Sequence, residues 1–220
     1  MKSDIFKSLI NLRYKCLKSI IFQFAAAFLS VGVLMVISIN SYSSTLDTNV
    51  GSNTESNELT PLKGADVPEV VMHNYVQLII DNVTTPDMTN DEKLYASYVY
   101  CLENMKYKRD TANANGTLIK DYALEAFMTG RGNCYRYASM FAYIANELGY
   151  DVKVQAGQCT SAQGGWTPHS WCLITYPDGT ELIYDLSFGD SFWGKKNYYG
   201  IKASEHSRKL KVEEEWRVLY

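Results

Sequence analysis

The chain has 220 residues, of which 46% are hydrophobic and 20% charged, values that suit a globular domain plus an additional apolar segment. Its formal net charge is −3, so it has no excess of basic residues of the kind that binds nucleic acid. The five cysteines form no CxxC pair and show no cysteine–histidine spacing typical of a structural zinc site, so we expect neither nucleic acid nor zinc.

The N-terminal part predicts a membrane anchor. Residues 1–19 are basic and precede an apolar run at residues 20–39, "IIFQFAAAFLSVGVLMVISI". A helix of this length spans about 30 Å, the hydrocarbon thickness of a bilayer. The basic flank predicts a single-pass protein of the cell membrane with a cytoplasmic N-terminus and an extracytoplasmic C-terminal domain. The alternative is a secreted protein with a cleaved signal peptide, although the apolar run exceeds the roughly 7–15 residues of a signal core.

The next segment predicts a flexible tether. Residues 40–66 are rich in Ser, Thr and Asn and contain few large apolar side chains. Such a segment cannot bury enough surface to offset the entropy lost on ordering. Residues 67–220 are predicted to form one domain that is long enough to bury a core.

The domain opens with patterns typical of helices. The first helix is predicted over residues 68–83, with apolar positions at Val71, Tyr75, Leu78 and Ile79. Thr89 and Glu92 have the capping-box spacing that begins a second helix. A third helix is predicted over about 117–128 and a fourth over 134–148.

After the fourth helix the apolar period becomes that of β-strands. Three strands are predicted at residues 150–159, 169–176 and 181–188, "YDVKVQAGQC", "HSWCLITY" and "ELIYDLSF". The turn signal Pro177-Asp178-Gly179 joins the last two. Helices followed by strands predict an α+β fold in which an antiparallel sheet packs on the helices.

The stretch "GRGNCYRY", residues 130–137, places a cysteine at the start of the fourth helix. Asn133 is a favourable cap residue, so Cys134 would be the first helical residue. There its sulfur would face the positive end of the helix dipole and unpaired N–H groups, which favour the nucleophilic thiolate. Gly130 and Gly132 would let the chain turn tightly and leave the sulfur accessible. Cys134 is therefore a candidate nucleophile.

A nucleophilic cysteine needs a base, and the chain has three histidines. His73 falls in the first helix and His206 in a charged tail, whereas His169 opens a strand after a flexible loop. Asp185 lies in the next predicted strand, within an otherwise apolar run where a carboxylate needs a partner. We predict that His169 is the base and that Asp185 orients it.

Each of these residues also has a purely structural interpretation. Cys134 could be an inert buried side chain, His169 a structural histidine, and Asp185 the cap of a turn. The four cysteines beyond the apolar segment could instead form disulfides. The residues alone leave these alternatives open.

The register of the last two strands decides whether His169 and Asp185 share a face of the sheet. A tight two-residue turn at Asp178-Gly179 would place Asp185 opposite Cys172, with His169 on the other face. We therefore predict an irregularity near this turn, such as a three-residue loop or a bulge.

Two segments, "GNCYRYASMFAYIANELGYDVKVQAG" and "HSWCLITYPDGTELIYDLSF", resemble the transglutaminase-like superfamily, whose members share the papain-like cysteine-protease fold. They are similar to its Gly-x-Cys-x-x-Tyr-Ala helix, its His-x-Trp strand and its Asp-bearing strand, in that order. The resemblance covers roughly residues 92–190 and points to a bacterial-type, membrane-anchored member. Arg136 and Leu186 depart from it, since glycine and proline are frequent there, and they put substrate preference in doubt.

The resemblance implies an enzyme that uses a Cys134–His169–Asp185 triad and neither metal nor cofactor. Its reaction would be thiol-dependent acyl transfer at peptide or protein amides, including those of the cell wall, by hydrolysis or transamidation. The Cys134 N–H would be one oxyanion donor, and Tyr107 is a candidate for the second. The alternative is a catalytically idle module that binds cell-surface peptide or polysaccharide.

Aromatic side chains are frequent around the predicted site. Trp166 and Trp171 flank His169, and Tyr184 precedes Asp185. They are candidates for a substrate-binding platform, although aromatic residues at such positions are also common in cores.

Overall fold

The first part of the fold is helical. The computed structural model describes residues 69–110, 116–192 and 195–218. Its first four helices are α1 (Glu69–Val83), α2 (Asn90–Asn104), α3 (Ile119–Thr129) and α4 (Cys134–Glu147). The Thr89 side chain accepts a hydrogen bond from the Glu92 N–H, and the Glu92 side chain accepts one from the Thr89 N–H, so the predicted capping box is present.

Helix α1 buries a different face from the predicted one. Its buried residues are Met72, Val76, Ile79, Ile80 and Val83. Tyr75 is 40% exposed and Leu78 is 42% exposed, so the prediction for these two positions is wrong. The helix carries apolar residues on more than one side, and helical spacing alone cannot tell which side meets the core.

Helix α4 lies at the centre of the fold. It packs against α1, α2 and α3 on one side and against two sheet strands on the other. Tyr137, Phe141 and Ile144 have no exposed surface, and they join the main hydrophobic core with sheet residues such as Val154 and Ile174. A helix start in this position is fixed in place by packing over the whole length of the helix.

The sheet has four strands: β3 (Asp151–Thr160), β4 (Trp166–Thr175), β5 (Glu181–Tyr184) and β6 (Leu210–Arg217). All neighbouring strands are antiparallel, in the order β5-β4-β3-β6. A separate parallel pair joins β1 (Lys106–Tyr107) to β2 (Arg131–Gly132). The observed fold is therefore the predicted α+β class with an antiparallel sheet packed on helices.

Two features of the C-terminal third differ from the sequence prediction. No strand is predicted after residue 188, but β6 pairs with β3 along most of its length. Asp185 does not lie inside a strand, because β5 ends at Tyr184 and Asp185 caps the short helix α5 (Leu186–Ser191). Its side chain accepts a hydrogen bond from the Phe188 N–H of that helix, which a position within a strand would not allow.

The predicted anchor and tether cannot be compared with this fold. The segments 1–19, 20–39 and 40–66 lie outside the described residues, so they stay predictions. Among the residues that are described, no helix is both long and apolar enough to cross a membrane.

Candidate active site

Cys134 occupies the first position of helix α4. Asn133 caps the helix, and its side-chain Oδ1 accepts a hydrogen bond from the Tyr135 N–H at 3.2 Å. The thiol therefore lies beside N–H groups that have no partner within the helix. Cys134 is 5% exposed, which places the sulfur at the edge of the interior.

The two glycines before Cys134 have distinct steric roles. Gly130 ends helix α3 with a left-handed φ of 58°, and a Cβ there would lie 2.8 Å from the Asn104 carbonyl oxygen. At Gly132 a Cβ would overlap the side chain of Arg136 one turn later. Gly132 thus makes room for an arginine at the position where the resemblance led us to expect glycine.

Arg136 ties together the segments around the helix start. Its guanidinium lies 3.0 Å from Asp110 and 2.7 Å from Glu125, and it is 11% exposed. Asn133 Nδ2 also donates to Asp110 Oδ1, at 2.7 Å. The guanidinium is mostly buried whereas its partners are partly exposed, so losing both carboxylates would leave the arginine charge uncompensated. The start of α4 is therefore held by side-chain contacts as well as by its cap.

His169 connects the cysteine to the carboxylate. Its Nε2 lies 2.6 Å from Asp185 Oδ2, and the His169 side chain is 5% exposed. Cys134 also interacts with the imidazole and contributes to the raised pKa of His169. Because Nε2 meets Asp185, Nδ1 is the ring nitrogen left for the thiol. Trp171 stacks on the imidazole at 5.6 Å and Phe188 meets it edge-on at 5.0 Å. The orientation of the ring is thus held by two aromatic contacts and the hydrogen bond to Asp185.

The hairpin between β4 and β5 explains why His169 and Asp185 meet. Cys172 pairs with Tyr184, and the Tyr176 N–H donates to the Thr180 carbonyl oxygen at 2.8 Å. The loop therefore has three residues, ending at Gly179 with φ of 82°. This confirms the predicted irregularity: Tyr184, and not Asp185, lies opposite Cys172, and Asp185 follows on the face that carries His169.

The Asp185 carboxylate is fully buried, and each of its two oxygens has two hydrogen-bond contacts. Oδ1 accepts from the Phe188 N–H at 3.0 Å and from the Ser187 hydroxyl at 3.1 Å. Oδ2 lies 2.6 Å from His169 Nε2 and 3.1 Å from His206 Nε2. Burial alone would raise the pKa of Asp185, but His169 and these hydrogen bonds outweigh it and hold that pKa well below its usual range.

The pKa of His169 moves in the opposite direction. Burial would lower it, but the charge of Asp185, its hydrogen bond and the contact with Cys134 together raise the pKa well above its usual range. An imidazolium is therefore favoured between the carboxylate and the sulfur. Such a cation stabilises a neighbouring thiolate, which is the nucleophilic form of cysteine.

The family follows from a comparison with known proteins. The core model of the transglutaminase-like superfamily matches residues 77–181, a span that includes Cys134 and His169. This part of the chain belongs to the transglutaminase-like superfamily. A search of curated proteins finds no match.

Three solved structures resemble the transglutaminase-like chain weakly. A TGase has a TM-score of 0.44 at 16% identity and covers 79% of this chain. A proposed cysteine protease from Cytophaga hutchinsonii has a TM-score of 0.39 at 12% identity and covers 59% of this chain. The periplasmic domain of TgpA from Pseudomonas aeruginosa has a TM-score of 0.35 at 16% identity and covers 60% of this chain. The matches span only 43%, 46% and 46% of those structures, so activity, substrates and partners are proposals for this protein.

Tyr107 lies on the strand that pairs with the segment just before Cys134, the candidate nucleophile. It ends strand β1, where it pairs with Gly132, and its side chain is half-exposed. Partial burial raises the pKa of Tyr107, and the neighbouring Cys134 contributes to the increase. The phenol therefore stays protonated at neutral pH and is able to donate a hydrogen bond.

The predicted aromatic platform is only partly accessible. Trp166 is 49% exposed at the start of β4. Trp171 and Tyr184 are each 1% exposed; Trp171 donates to Gln155 Oε1 at 2.7 Å, and Tyr184 packs on Phe141. These two residues support the domain from inside and present no surface to a substrate, so the expectation is wrong for them.

The cysteines of the described segments are all free. They are Cys101, Cys134, Cys159 and Cys172, and each is buried. Burial raises the pKa of Cys101, Cys159 and Cys172 above the usual thiol range, so these three are weak nucleophiles. Within residues 69–110, 116–192 and 195–218, no group of His, Cys, Asp and Glu side chains is arranged to hold a metal ion.

His206 is the site residue that the sequence prediction missed. It was assigned to a charged tail, yet it is buried against Asp185. The alternation of Leu210, Val212 and Trp216 with charged residues is a strand signal that could have brought this segment next to the sheet.

Proposed function

We propose that the protein is a cysteine-dependent enzyme that transfers acyl groups from peptide or protein amides, with Cys134, His169 and Asp185 as its catalytic triad. The observation that carries the proposal is the 2.6 Å contact of His169 with the buried Asp185, on an imidazole whose pKa the Cys134 thiol also raises. Nucleophile, base and orienting acid in this order are the minimum set for nucleophilic acyl transfer.

The first half-reaction forms a thioester. The Cys134 thiolate attacks the amide carbonyl carbon, a C–S bond forms, and the carbonyl electrons move to oxygen. The oxyanion then collapses and the C–N bond breaks, while the His169 imidazolium gives its Nδ1 proton to the leaving nitrogen. Ammonia or an amine leaves, and the acyl group stays on sulfur.

The second half-reaction releases the acyl group. Neutral His169 takes a proton from an attacking water or amine, whose oxygen or nitrogen bonds to the thioester carbon. The C–S bond breaks, and the thiolate returns beside the imidazolium. Water yields a carboxylic acid, which is hydrolysis, and an amine yields a new amide, which is transamidation.

Two donors are proposed to stabilise the oxyanion of each step. The Cys134 N–H belongs to the first turn of α4 and needs no acceptor within the helix. The Tyr107 hydroxyl is the second, and its position beside Cys134 supports this role. Donors of this kind act on charge that develops only in the transition state.

The place of action and the substrate class are also proposals. The basic segment 1–19 and the apolar segment 20–39 favour a membrane anchor with the enzyme outside the cytoplasm. Peptide amides at the cell surface, including cell-wall peptides, are then the accessible substrates. Trp166, exposed three residues before His169, is the remaining candidate for an aromatic contact with them.

The test uses an activated ester first and an amide second, because neither requires knowledge of the natural substrate. We expect p-nitrophenyl acetate to release a burst of about one p-nitrophenolate per chain as Cys134 is acylated. Cys134→Ala should abolish the burst, and Cys101→Ala, which removes a buried thiol elsewhere in the core, should retain it. Ammonia release from glutamine peptides then reports amide cleavage, and mass spectrometry of the peptide product in the presence of a primary amine distinguishes glutamate, formed by hydrolysis, from the new amide, formed by transamidation.

A folded protein that gives no burst would contradict the proposal. It would favour the catalytically idle module that binds cell-surface peptide or polysaccharide.

A further inference from the structure

A second imidazole meets the carboxylate of the proposed triad. His206 Nε2 lies 3.1 Å from Asp185 Oδ2, the oxygen that also lies 2.6 Å from His169 Nε2. The His206 and Asp185 side chains are both fully buried. His206 lies beyond residue 181, where the match to the superfamily ends. The C-terminal segment of this chain thus contributes a group to the site that the matched core does not contain.

The contact is a hydrogen bond donated by His206. An ionised carboxylate only accepts, so His206 Nε2 carries a proton. At the other ring nitrogen, Nδ1, the Arg208 N–H and the Arg208 carbonyl oxygen both lie at 3.1 Å. Nδ1 can accept from the N–H in a neutral ring or donate to the carbonyl in a charged ring. In either state Nε2 donates to Asp185.

The two imidazoles are held apart by one aromatic ring. Phe188 contacts His169 at 5.0 Å and His206 at 5.1 Å, and Tyr198 packs on the other side of His206 at 5.2 Å. Tyr198 is itself fixed by a 2.6 Å hydrogen bond to Ser207. His206 is therefore positioned by packing against these two rings as well as by its hydrogen bond to Asp185.

We propose that His206 is a positioning residue that shares Asp185 Oδ2 with His169 and so limits how strongly the carboxylate retains a proton on His169. The proposal rests on the proposed function, in which His169 must give up that proton to the leaving nitrogen. A carboxylate whose Oδ2 served His169 alone would hold the imidazolium more tightly and delay this step. A second donor on the same oxygen withdraws part of its negative charge.

The orientation of Asp185 does not require His206. Oδ1 is held by the Phe188 N–H and the Ser187 hydroxyl, at 3.0 and 3.1 Å. Loss of His206 should therefore leave the carboxylate in place and concentrate its charge on His169. Loss of His206 is therefore expected to raise the pKa of His169.

Other titratable groups near Asp185 do not compete for this proton. They are Tyr98 of α2, Tyr107 of β1, Cys159 of β3 and Cys172 of β4. Burial raises the pKa of each of these phenols and thiols, so they stay neutral near neutral pH. Cys134 contacts His169 from the opposite side, and Arg208 lies two residues from His206 on the same segment.

The test is ¹⁵N NMR of the imidazole rings in the full-length protein, which has three histidines to assign. In the His206→Phe variant we expect the titration midpoint of His169 to rise by about 0.5–1 pH unit. His206→Gln, whose amide can donate to the same oxygen, should bring the midpoint back towards that of the unchanged protein. His73→Gln, on helix α1, is the matched control that removes a histidine outside the site.

An unchanged or lowered midpoint in folded His206→Phe would overturn the proposal. If that variant does not fold, the test is the ¹⁵N NMR spectrum of the unchanged protein. The proposal requires that His206 carries a proton on Nε2 in that spectrum. A neutral ring with its proton on Nδ1 alone would refute the proposal. These readings need no substrate, so they are independent of whether the ester burst that tests the proposed function is observed.

Discussion

The imidazole of His169 and the carboxylate of Asp185 lie 2.6 Å apart in a part of the molecule where the two side chains are 5% and 0% exposed. A lone carboxylate there would be strongly destabilising, and the pair is tolerated because each charge is compensated. The same contact shifts both pKa values in the directions that favour the ion pair. Stability and chemistry therefore depend on one contact.

The pKa shift of His169 predicts a decline of stability at alkaline pH. An unfolded histidine titrates near ~6.5, and the folded pKa of His169 lies above it, so the folded protein binds more protons in between. This stabilisation is complete below ~6.5 and is lost as pH rises towards the folded pKa, by about 1.4 kcal/mol per pH unit. Urea unfolding of Cys134→Ala, which removes the neighbouring thiol, should show the decline.

The control for this measurement is the double variant Cys134→Ala/His169→Gln. It keeps the other titrating groups, so the difference between the two profiles isolates His169. Parallel profiles from about pH 6.5 to about pH 9 would show that His169 is not held as a cation. Asp185 acts in the opposite direction: its depressed pKa contributes stability that is present above ~3.9 and is lost as pH falls further.

The space left by Gly132 predicts coupling with Arg136. A methyl group at position 132 would overlap the Arg136 side chain and displace the guanidinium from Asp110 and Glu125. We expect Gly132→Ala to lower the free energy of unfolding by about 1–3 kcal/mol. In an Arg136→Gly background the obstacle is gone, and the same substitution should cost at least ~1 kcal/mol less. Urea unfolding of the four proteins measures the cycle, and additive effects would contradict the steric account.

The position of Tyr107 predicts a selective loss of turnover. If its hydroxyl stabilises the oxyanion, Tyr107→Phe should lower kcat about 100-fold with little change in KM, because the contact strengthens only in the transition state. Tyr75→Phe removes a similarly exposed hydroxyl from helix α1 and should have no effect. A Tyr107→Phe variant that changes KM alone would place this residue in substrate binding instead.

Local signals in the sequence were sufficient to place Cys134 at a helix start and to predict the irregular hairpin. The cap at Asn133 and the helical period after Cys134 depend on neighbouring residues only, and the structure has both. His169 and Asp185 can share a face of the sheet only if the turn at Pro177-Asp178-Gly179 shifts the register by one residue relative to a two-residue turn. The observed three-residue loop produces that shift. For Asp185, a capping role and a contact with His169 were treated as alternatives, but the residue does both. Its Oδ1 caps helix α5, and its Oδ2 contacts His169.

Contacts between distant segments were beyond the reach of the sequence. His206 lies 21 residues from Asp185 in a polar stretch, and it is buried by packing against Phe188 and Tyr198 and by the return of the chain to pair β6 with β3. Trp171 and Tyr184 occur in strands with both faces covered, so their aromatic character could not distinguish a core from a platform. On helix α1, Tyr75 and Leu78 are apolar but face outward, so their apolar character could not show which side of the helix meets the core.

The most direct measurement of the central claim is the pH dependence of iodoacetamide alkylation at Cys134, beside His169→Ala. Trypsin releases the residue in the short peptide 132–136, so its labelling can be separated by mass spectrometry from that of the other cysteines. An activated pair should be labelled at about pH 6, well below the ~8.5 at which ordinary cysteine titrates. His169→Ala should slow that labelling at least about tenfold. Equal rates in the two folded proteins, with an ordinary midpoint in both, would contradict an activated Cys134–His169 pair.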